Sequence, residues 1–292
     1  MRQAKKTISK LLHAAGFSPY WMFKGMPEAA KKLTILMYHS IHPEPAPFSI
    51  TPAAFQRQIA FIKDNYTVCR LADVDVFLSN KHDRERRVAV TFDDAYENFL
   101  EFALPTLERL SVPCTMCVPT GFIGGWNAWE LPKDELPRRK LLSLEQLRSL
   151  AALPSVEFGS HTVDHSSMRK LSQCEVEKQA VESKRQLEQL TGRLVETFSY
   201  PYGTLQDFSK DTTRVLMAAG YKRAVTSRWG TLNSYRDRMI LRRIWLEEDD
   251  QSRDLHAKIR GDYDWMAAKE RMGSAVRTIV RSAERRERER MD

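Results

Sequence analysis

The chain has 292 residues, of which 42% are hydrophobic and 29% are charged. This composition is ordinary for a globular protein, and it excludes collagen-like, coiled-coil and disordered chains. The net charge is +8, but residues 1–32 alone contain seven basic residues and one acidic residue. The rest of the chain lacks the basic stripe of a nucleic-acid-binding protein, so we expect no nucleic-acid partner.

The first 32 residues form a basic lead that we predict to be helical. Ile8, Leu11 and Leu12 lie at spacings that favour an amphipathic helix. Such a helix either packs on the outside of the domain or contacts an anionic membrane surface. The lead lacks the apolar core and cleavage site of a secretory signal, and the chain has no run of 18 apolar residues. We therefore expect a cytoplasmic location. If the lead contacts a membrane, we expect peripheral binding at its inner face.

From residue 33 onward, apolar strand-like runs alternate with helical segments. The runs are Leu33–Tyr38, Val88–Phe92, Cys114–Val118, Val156–Gly159, Glu196–Tyr200, Arg223–Thr226 and Ile240–Leu246. Helices are predicted at 96–110, 205–219 and 252–260, and three more begin at the caps described next. Strands that alternate with helices pair in parallel, because each crossover needs a helix to return the chain. A β/α barrel, complete or incomplete, fits best, and an open doubly wound sheet is the alternative.

Local signals mark where these further helices begin. Thr51 before Pro52 is typical of an N-cap followed by a first-turn proline. Capping boxes are predicted at Ser143, with Gln146, and at Ser172, with Glu175. The helix after Ser172 is predicted to end before the glycine at position 192.

Three further segments need interpretation. The insertion Gly121–Lys140, with Trp126 and Trp129, is too long for a simple connector and is typical of a substrate loop beside a barrel mouth. The two cysteines of the Cys114–Val118 run form a C-x-x-C pattern, but the run is a buried strand candidate. We therefore interpret them as core residues rather than as a redox pair or half a zinc site. Residues 263–292 carry mixed charge and are predicted to form a C-terminal helix with a solvated face.

Polar residues with metal or acid–base chemistry follow several of the predicted strands. His161 and His165 follow the fourth strand and share one face if the strand leads into a helical turn. Asp94 follows the second strand and offers a third ligand. Because the carboxyl ends of barrel strands meet at one mouth, these three side chains are expected to converge. Two histidines and a carboxylate with open positions favour a catalytic metal site, with zinc or another divalent ion bound.

The neighbouring acid, Asp93, is expected to do a different job from Asp94. Side chains alternate along a strand, so two adjacent acids at its end point in different directions. One can bind a metal while the other accepts the proton of a metal-bound water. The pair therefore indicates hydrolysis rather than a purely structural metal site.

Three motifs resemble those of the polysaccharide deacetylase family, which is carbohydrate esterase family four. They are Thr91–Ala95 (Thr-Phe-Asp-Asp-Ala), His161–His165 (His-Thr-Val-Asp-His) and Tyr200–Gly203 (Tyr-Pro-Tyr-Gly), in the family's order. The flanking segments Leu36–His39 and Phe158–Ser160 resemble a bacterial subgroup of that family. The resemblance covers residues 33–262, which we predict to be the catalytic domain.

The resemblance implies a fold and a set of roles. The fold is a distorted (β/α)7 barrel. Asp93 matches the general base, and Asp94, His161 and His165 match the metal ligands. Tyr202 matches a residue whose backbone N–H stabilises the oxyanion.

The chain also departs from the family pattern. Ser199 stands where the third motif usually has an arginine, and Ala95 replaces the usual glycine of the first motif. The late Leu-x-His motif, whose histidine acts as general acid, does not occur. His39 is then a candidate for a substrate-binding or acid group, better placed than His256. Arg243 is a candidate to replace the missing arginine and orient the base.

The predicted function is metal-dependent removal of an N-acetyl group from a sugar or glycan, with metal-bound water as the nucleophile and Asp93 as the general base. The expected cofactor is a divalent ion, Zn²⁺ above others, and the expected partner is a saccharide, lipid-linked if the basic lead contacts membrane. Such a hydrolase fits cell-envelope glycan biosynthesis. Two alternatives are a small-molecule amidase or deformylase at the same site, and a catalytically silent glycan-binding protein.

Overall fold

The computed structural model describes residues 33–267, apart from positions 45, 47, 81, 83, 84 and 130–137. The basic lead 1–32 and residues 268–292 lie outside the described residues. The helices and the membrane contact predicted for those two segments therefore stay predictions. No described helix combines the length and the apolar character needed to cross a bilayer.

Strands and helices alternate along the described chain. The strands are β1 (Leu33–Tyr38), β2 (Ser40–Ile41), β3 (Ser49–Ile50), β4 (Thr67–Val68), β5 (Arg87–Phe92), β6 (Cys114–Val118), β7 (Val156–Ser160), β8 (Thr197–Ser199), β9 (Arg223–Trp229) and β10 (Leu241–Arg243). The α-helices are α1 (Pro52–Asn65), α2 (Val74–Ser79), α3 (Leu104–Arg109), α4 (Leu144–Ala151), α5 (Gln173–Thr191), α6 (Lys210–Ala218) and α7 (Ser252–Arg260). A π-helical turn, Phe99–Ala103, leads directly into α3.

The main sheet is a nearly closed parallel barrel. Its strand order is β1-β5-β6-β7-β8-β9-β10, with β4 added beside β5. The ring closes where β1 meets the end of β10: the backbone N–H of Met37 donates to the carbonyl of Ile244 over 2.9 Å, and that of Ile244 donates to Ile35 over 2.9 Å. The predicted β/α barrel is therefore confirmed, and the open doubly wound sheet is not what forms.

The predicted helix caps are present. Thr51 accepts a hydrogen bond from the backbone N–H of Ala54 at the start of α1. Ser143 and Ser172 each form a full capping box at the start of α4 and α5. Gly192 ends α5 in the left-handed region, at φ 64°.

Two predicted helices begin later than expected. The segment predicted as a helix from residue 96 first makes a turn that belongs to the barrel mouth, and helical structure starts at Phe99. The segment predicted from residue 205 becomes helical only at Lys210, after a capping box formed by Ser209 and Thr212. That box carries threonine where the usual signal has glutamate or glutamine, so the sequence pattern did not reveal it.

The barrel interior changes character along its axis. Its amino-terminal half is filled by an apolar cluster, to which four strands and residues 69–74, at the start of α2, contribute. The cluster contains Leu33, Ile35, Cys69, Leu71, Val74, Ala89, Val225 and Leu241. Further along β5 and β10, two residues after Ala89 and Leu241, come Thr91 and Arg243, and Ser199 lies at the end of β8; all three are fully buried. The interior therefore becomes polar toward the carboxyl ends of the strands, where the mouth lies.

The cysteines match the interpretation made from sequence. Cys114 and Cys117 are buried in β6, Cys69 is buried, and Cys174 is exposed; all four are free thiols. Burial raises the pKa of Cys69 to about 12, and it raises the pKa of Cys117 well above its ordinary value. The buried thiols are therefore core residues with little nucleophilic character.

Candidate active site

The turn after β5 presents the two acids in different directions. The backbone N–H of Asp93 still donates to the carbonyl of Tyr38 over 2.9 Å, so Asp93 continues the parallel ladder with β1. Asp94 and Ala95 then both take positive φ, at 71° and 54°. The chain turns sharply at this point, and both carboxylates are buried. Ala95 adopts a left-handed conformation that favours glycine, which explains the family's usual residue there.

The two histidines reach the same place through an irregular turn after β7. The helical turn assumed from their spacing is wrong: residues 161–165 form no helix, and Thr162 and His165 have φ of 65° and 58°. The turn is held from both sides. Gly121 donates from its backbone N–H to the carbonyl of Val163 over 2.8 Å, and Gln179 accepts from the N–H of Val163 over 2.8 Å.

Asp94, His161 and His165 converge, as predicted. Nε2 of each histidine lies 3.4 Å from Oδ1 of Asp94, and one ligand atom from each residue falls within a 4.8 Å cluster. Burial raises the pKa of Asp94, but the two adjacent imidazoles outweigh that effect and hold the pKa well below its usual value. The carboxylate is therefore anionic at neutral pH.

The donor atoms of this cluster fit a divalent cation. Oδ1 of Asp94 is buried and accepts no hydrogen bond, although it is the atom nearest both histidines. Nδ1 of His161 donates to the carbonyl of Ser199 over 2.8 Å. That bond places the proton on Nδ1 and leaves the lone pair of Nε2 facing Asp94. A buried anionic oxygen without a donor is costly unless a cation neutralises it.

Asp93 is paired with the arginine predicted to orient it. Nη1 of Arg243 donates to Oδ1 of Asp93 over 2.9 Å, and Nη2 donates to Oδ2 over 2.6 Å. Both side chains are almost fully buried, at 1% and 3% exposure. Burial raises the pKa of Asp93, but the guanidinium of Arg243 outweighs it, and the pKa ends below its usual value.

The same guanidinium is fixed by three other contacts. Nε donates to the carbonyl of Thr226 over 2.8 Å, Nη1 donates to Oγ1 of Thr91 over 3.1 Å, and Nη2 donates to Oγ of Ser199 over 3.2 Å. Ser199 thus stands at the place where the family pattern has arginine and touches the arginine that comes from β10 instead. No sequence pattern predicts this contact, because it joins residues 44 positions apart.

His39 follows β1 and lies beside the two acids. It is partly buried, and no described group makes a hydrogen bond to its ring. Burial lowers the pKa of His39, while the charges of Asp94 and Asp93 act in the opposite direction. Its ring centroid is 5.4 Å from that of Phe48. By contrast, His256 lies on α7, where Nδ1 is 2.8 Å from the hydroxyl of Tyr66, so it is occupied away from this cluster.

Tyr202 lies in the turn after β8, next to the cluster of Asp94, His161 and His165. Tyr202 and Gly203 both have φ of 60°, and the ring of Tyr202 stands edge-on to His165 with centroids 5.0 Å apart. A Cβ added at Gly203 would lie 2.5 Å from the backbone nitrogen of Ser227. Glycine is therefore required for this turn to approach β9.

The predicted substrate loop reaches the cluster through Trp129. Its indole stacks on the ring of His165, with centroids 4.5 Å apart and planes at 26°. The loop is closed at its base by antiparallel bridges between Trp126 and Lys140 and between Tyr96 and Leu141. Trp126 is 51% exposed. The sequence indicated that this loop lies at the mouth, but not which tryptophan meets the histidine.

Comparisons with known proteins agree with this arrangement. The family model described as polysaccharide deacetylase matches residues 80–224, which contain Asp93, Asp94, His161, His165 and Tyr202. The chain belongs to the polysaccharide deacetylase family. This confirms the predicted enzyme class, a sugar deacetylase that hydrolyses carbon–nitrogen bonds. The narrower subgroup indicated by the flanking motifs stays a prediction.

Two curated relatives are similar over much of the chain. A Bacillus subtilis protein named as a polysaccharide deacetylase, YxkH, is 24% identical over 219 residues, covering 74% of this chain and 72% of its own. A Staphylococcus aureus poly-beta-1,6-N-acetyl-D-glucosamine N-deacetylase is 26% identical over 186 residues, or 60% of each chain. The chain thus spans less than two thirds of the staphylococcal enzyme.

Solved structures share the fold. The Streptococcus pyogenes deacetylase PplD, in complex with acetate, superposes with a TM-score of 0.67 at 24% identity, covering 78% of this chain and 98% of its own. IcaB from Ammonifex degensii gives a TM-score of 0.67 at 20% identity, covering 79% and 98%. These likenesses establish the distorted (β/α)7 barrel for this chain.

Proposed function

We propose that this protein removes the N-acetyl group from an N-acetylhexosamine unit of a polysaccharide, with a divalent cation at Asp94, His161 and His165. The observation that carries the proposal is the side-by-side placement of that cluster and the Asp93–Arg243 pair at the barrel mouth. The staphylococcal relative, whose name specifies poly-beta-1,6-N-acetyl-D-glucosamine, supports this class of substrate.

Zn²⁺ suits the donor set best. Two imidazole nitrogens and one carboxylate oxygen form a three-ligand arrangement that leaves positions open for reactants, as catalytic zinc sites do. When bound there, such a cation polarises the acyl oxygen and lowers the pKa of water. Another divalent ion with similar ligand preferences could take the same place according to its availability.

Asp93 is proposed to accept a proton from the attacking water. Because its pKa lies below the usual value, the carboxylate is ionised throughout the neutral range. Each of its oxygens accepts one hydrogen bond from Arg243, which leaves a further lone pair on each. Arg243 is then a positioning residue: it fixes the plane of the carboxylate and does not itself meet the substrate.

Two groups are proposed to handle the charges that develop afterwards. The backbone N–H of Tyr202 would donate to the oxyanion as the acyl carbon becomes tetrahedral, an interaction worth about 3 kcal/mol for one donor. His39 would protonate the departing amine, since it lies beside both acids and is not one of the cluster ligands. Because burial lowers the pKa of His39, its ring is neutral at pH 7, and it would take up the proton that Asp93 removes from water before passing that proton to the amine.

The test compares two variants with two controls. In the full chain loaded with zinc, acetate release from a β-1,6-linked N-acetylglucosamine tetramer is measured together with bound metal. Asp93→Asn should lose turnover but keep metal, whereas His161→Ala should lose both. The controls are Asp211→Asn, an exposed acid on α6, and His82→Ala, an exposed histidine, which should leave both readouts unchanged.

The outcomes separate the alternatives. Wild-type activity in both site variants would refute the proposed site. Release of formate or of small amides, with no acetate from saccharides, would favour the amidase or deformylase. Saccharide binding without any hydrolysis would favour the silent binding protein. A lipid-linked substrate and contact of residues 1–32 with membrane remain predictions that this experiment leaves aside.

A further inference from the structure

One exposed aromatic residue at the barrel mouth is not accounted for by folding. Phe48 has 63% of its side chain exposed, so its ring contributes little to the core. Its backbone φ is 58°, a left-handed conformation that is costly for a residue with a Cβ. A costly backbone that presents a large ring to solvent indicates a functional requirement at that position.

The segment that carries Phe48 is tied to the barrel. Ser49 and Ile50 form β3, which pairs with β2 directly after β1. The carbonyl of Phe48 accepts from the backbone N–H of Ser40 over 3.4 Å, and Oγ of Ser40 accepts from Nδ2 of Asn98 over 2.7 Å. The backbone at Phe48 is therefore held beside the segment that follows β1.

That place is beside the reacting groups. The ring of Phe48 lies 5.4 Å from the ring of His39, at an angle of 44°, and His39 feels the charges of Asp93 and Asp94. A molecule bound over the two acids would extend past His39 onto the face of Phe48.

Other aromatic rings stand on the opposite side of the mouth. In the strand order, β7 and β8 are each three strands away from β1, in the two directions around the ring. His165 follows β7, and it is flanked by Trp129 at 4.5 Å and by Tyr202 at 5.0 Å. The proposed metal and base therefore lie between two aromatic walls, one at Phe48 and one at Trp129 and Tyr202.

We propose that Phe48 is a specificity-determining residue, whose ring stacks on the sugar adjacent to the one being deacetylated. This rests on the proposed function. Pyranose rings present apolar C–H faces that pack on aromatic side chains, while their hydroxyl groups remain in water. With one sugar over the metal ligands, the next sugar of the chain would lie past His39, on the ring of Phe48. The site is therefore built for a chain of sugars, and it selects oligosaccharides over monosaccharides and small amides.

The experiment measures kcat and KM for acetate release by the full zinc-loaded chain. The substrates are N-acetylglucosamine, its β-1,6-linked tetramer and 4-methylumbelliferyl acetate, an ester without a sugar. Phe48→Ala should raise KM for the tetramer about tenfold with little change in kcat, as expected for loss of one stacked ring. Hydrolysis of the ester and of the monosaccharide should stay as in the wild type.

Three further variants distinguish stacking from bulk and from general damage. Phe48→Tyr keeps the ring and should keep the wild-type KM, whereas Phe48→Leu keeps apolar bulk without the ring and should resemble Phe48→Ala. Tyr235→Ala is the control, because it removes an exposed ring from the segment before β10, whose amino-terminal end lies away from the mouth. It should leave kcat and KM unchanged for all three substrates.

Each result decides. A tenfold KM effect limited to the tetramer supports the proposal. The proposal is overturned if Phe48→Ala keeps the wild-type KM for the tetramer, or if it loses activity equally on all three substrates. In either case, acetate release from N-acetyl sugars by the wild type still supports the proposed function. If the wild type hydrolyses the ester but no N-acetyl sugar, the proposed function fails, and the role of Phe48 fails with it.

Discussion

Replacing Arg243 with methionine should destabilise the metal-free protein strongly. The substitution keeps an unbranched side chain of similar length but removes both hydrogen bonds to Asp93, at 2.9 Å and 2.6 Å. The carboxylate of Asp93 is only 3% exposed, so water does not replace the lost partner. Removing one member of a buried pair costs about 3–5 kcal/mol, because a charge is left buried without compensation.

The stability lost in Arg243→Met should be greater at neutral pH than at acidic pH. In the folded wild type the pKa of Asp93 is lowered from its ordinary value of 3.8. The ionised carboxylate therefore stabilises the folded protein above pH 3.8, and this stabilisation is lost only as the pH falls through the lower pKa of the folded state. Without Arg243, burial is opposed only by the charges of His161 and His39, and we expect the pKa of Asp93 to rise above that of the unfolded chain. The difference in the free energy of unfolding between the wild type and Arg243→Met should then be largest at neutral pH and should shrink toward about pH 4.

The assay is urea unfolding followed by tryptophan fluorescence, with a chelator present, at pH 7 and near pH 4.5. Asp93→Asn combined with Arg243→Met should lose less stability than Arg243→Met alone, since no charge remains to be buried. A second variant combines Ser199→Arg with Arg243→Ser and so moves the guanidinium to the position that the family pattern uses. Its turnover should be higher than that of Arg243→Met. A loss below about 1 kcal/mol, or an equal loss at both pH values, would refute this account.

Three other expectations are simpler to measure. Ser172→Ala removes the cap of α5 and should lower the free energy of unfolding by about 1 kcal/mol; an unchanged urea midpoint would contradict it. Gly203→Ala places a Cβ 2.5 Å from the nitrogen of Ser227 and should lower both the melting temperature and turnover, so a fully active variant would disprove the close approach. Thiol titration of the native chain should detect Cys174 alone, and all four cysteines after unfolding; a second fast-reacting thiol would show that the core is open.

The sequence predicted those parts of the site that depend on strand ends. Asp93, Asp94 and His161 directly follow buried apolar runs, and parallel strands in a barrel bring their carboxyl ends to one mouth. Their convergence therefore follows from the pattern and the fold together. The pairing of Arg243 with Asp93 could be anticipated as a candidate only, because it joins residues 150 positions apart that no local rule connects.

Other features had no readable signal. The turn between His161 and His165 uses positive φ at two residues that are not glycine, and local propensity argues against such a conformation. Tertiary contacts from Gly121 and Gln179 impose it instead. The stacking of Trp129 on His165 joins residues 36 positions apart in the sequence, from two different connections of the barrel. Both features are set by packing between distant segments, which composition and periodicity do not encode.

The closure of the barrel has a consequence for how this enzyme family can be divided or shortened. His39 directly follows β1, and Arg243 lies on β10. These two strands meet at the seam of the barrel through Met37 and Ile244, the residue that follows β10. Neither lies within residues 80–224, the segment that matches the family model. A fragment trimmed to that segment would keep the proposed cation ligands and the proposed general base, Asp93, yet lose the arginine paired with Asp93 and the proposed proton donor. The two ends of the domain are thus held together by the seam, and variants with faster amide hydrogen exchange at Met37 and Ile244 should show lower turnover.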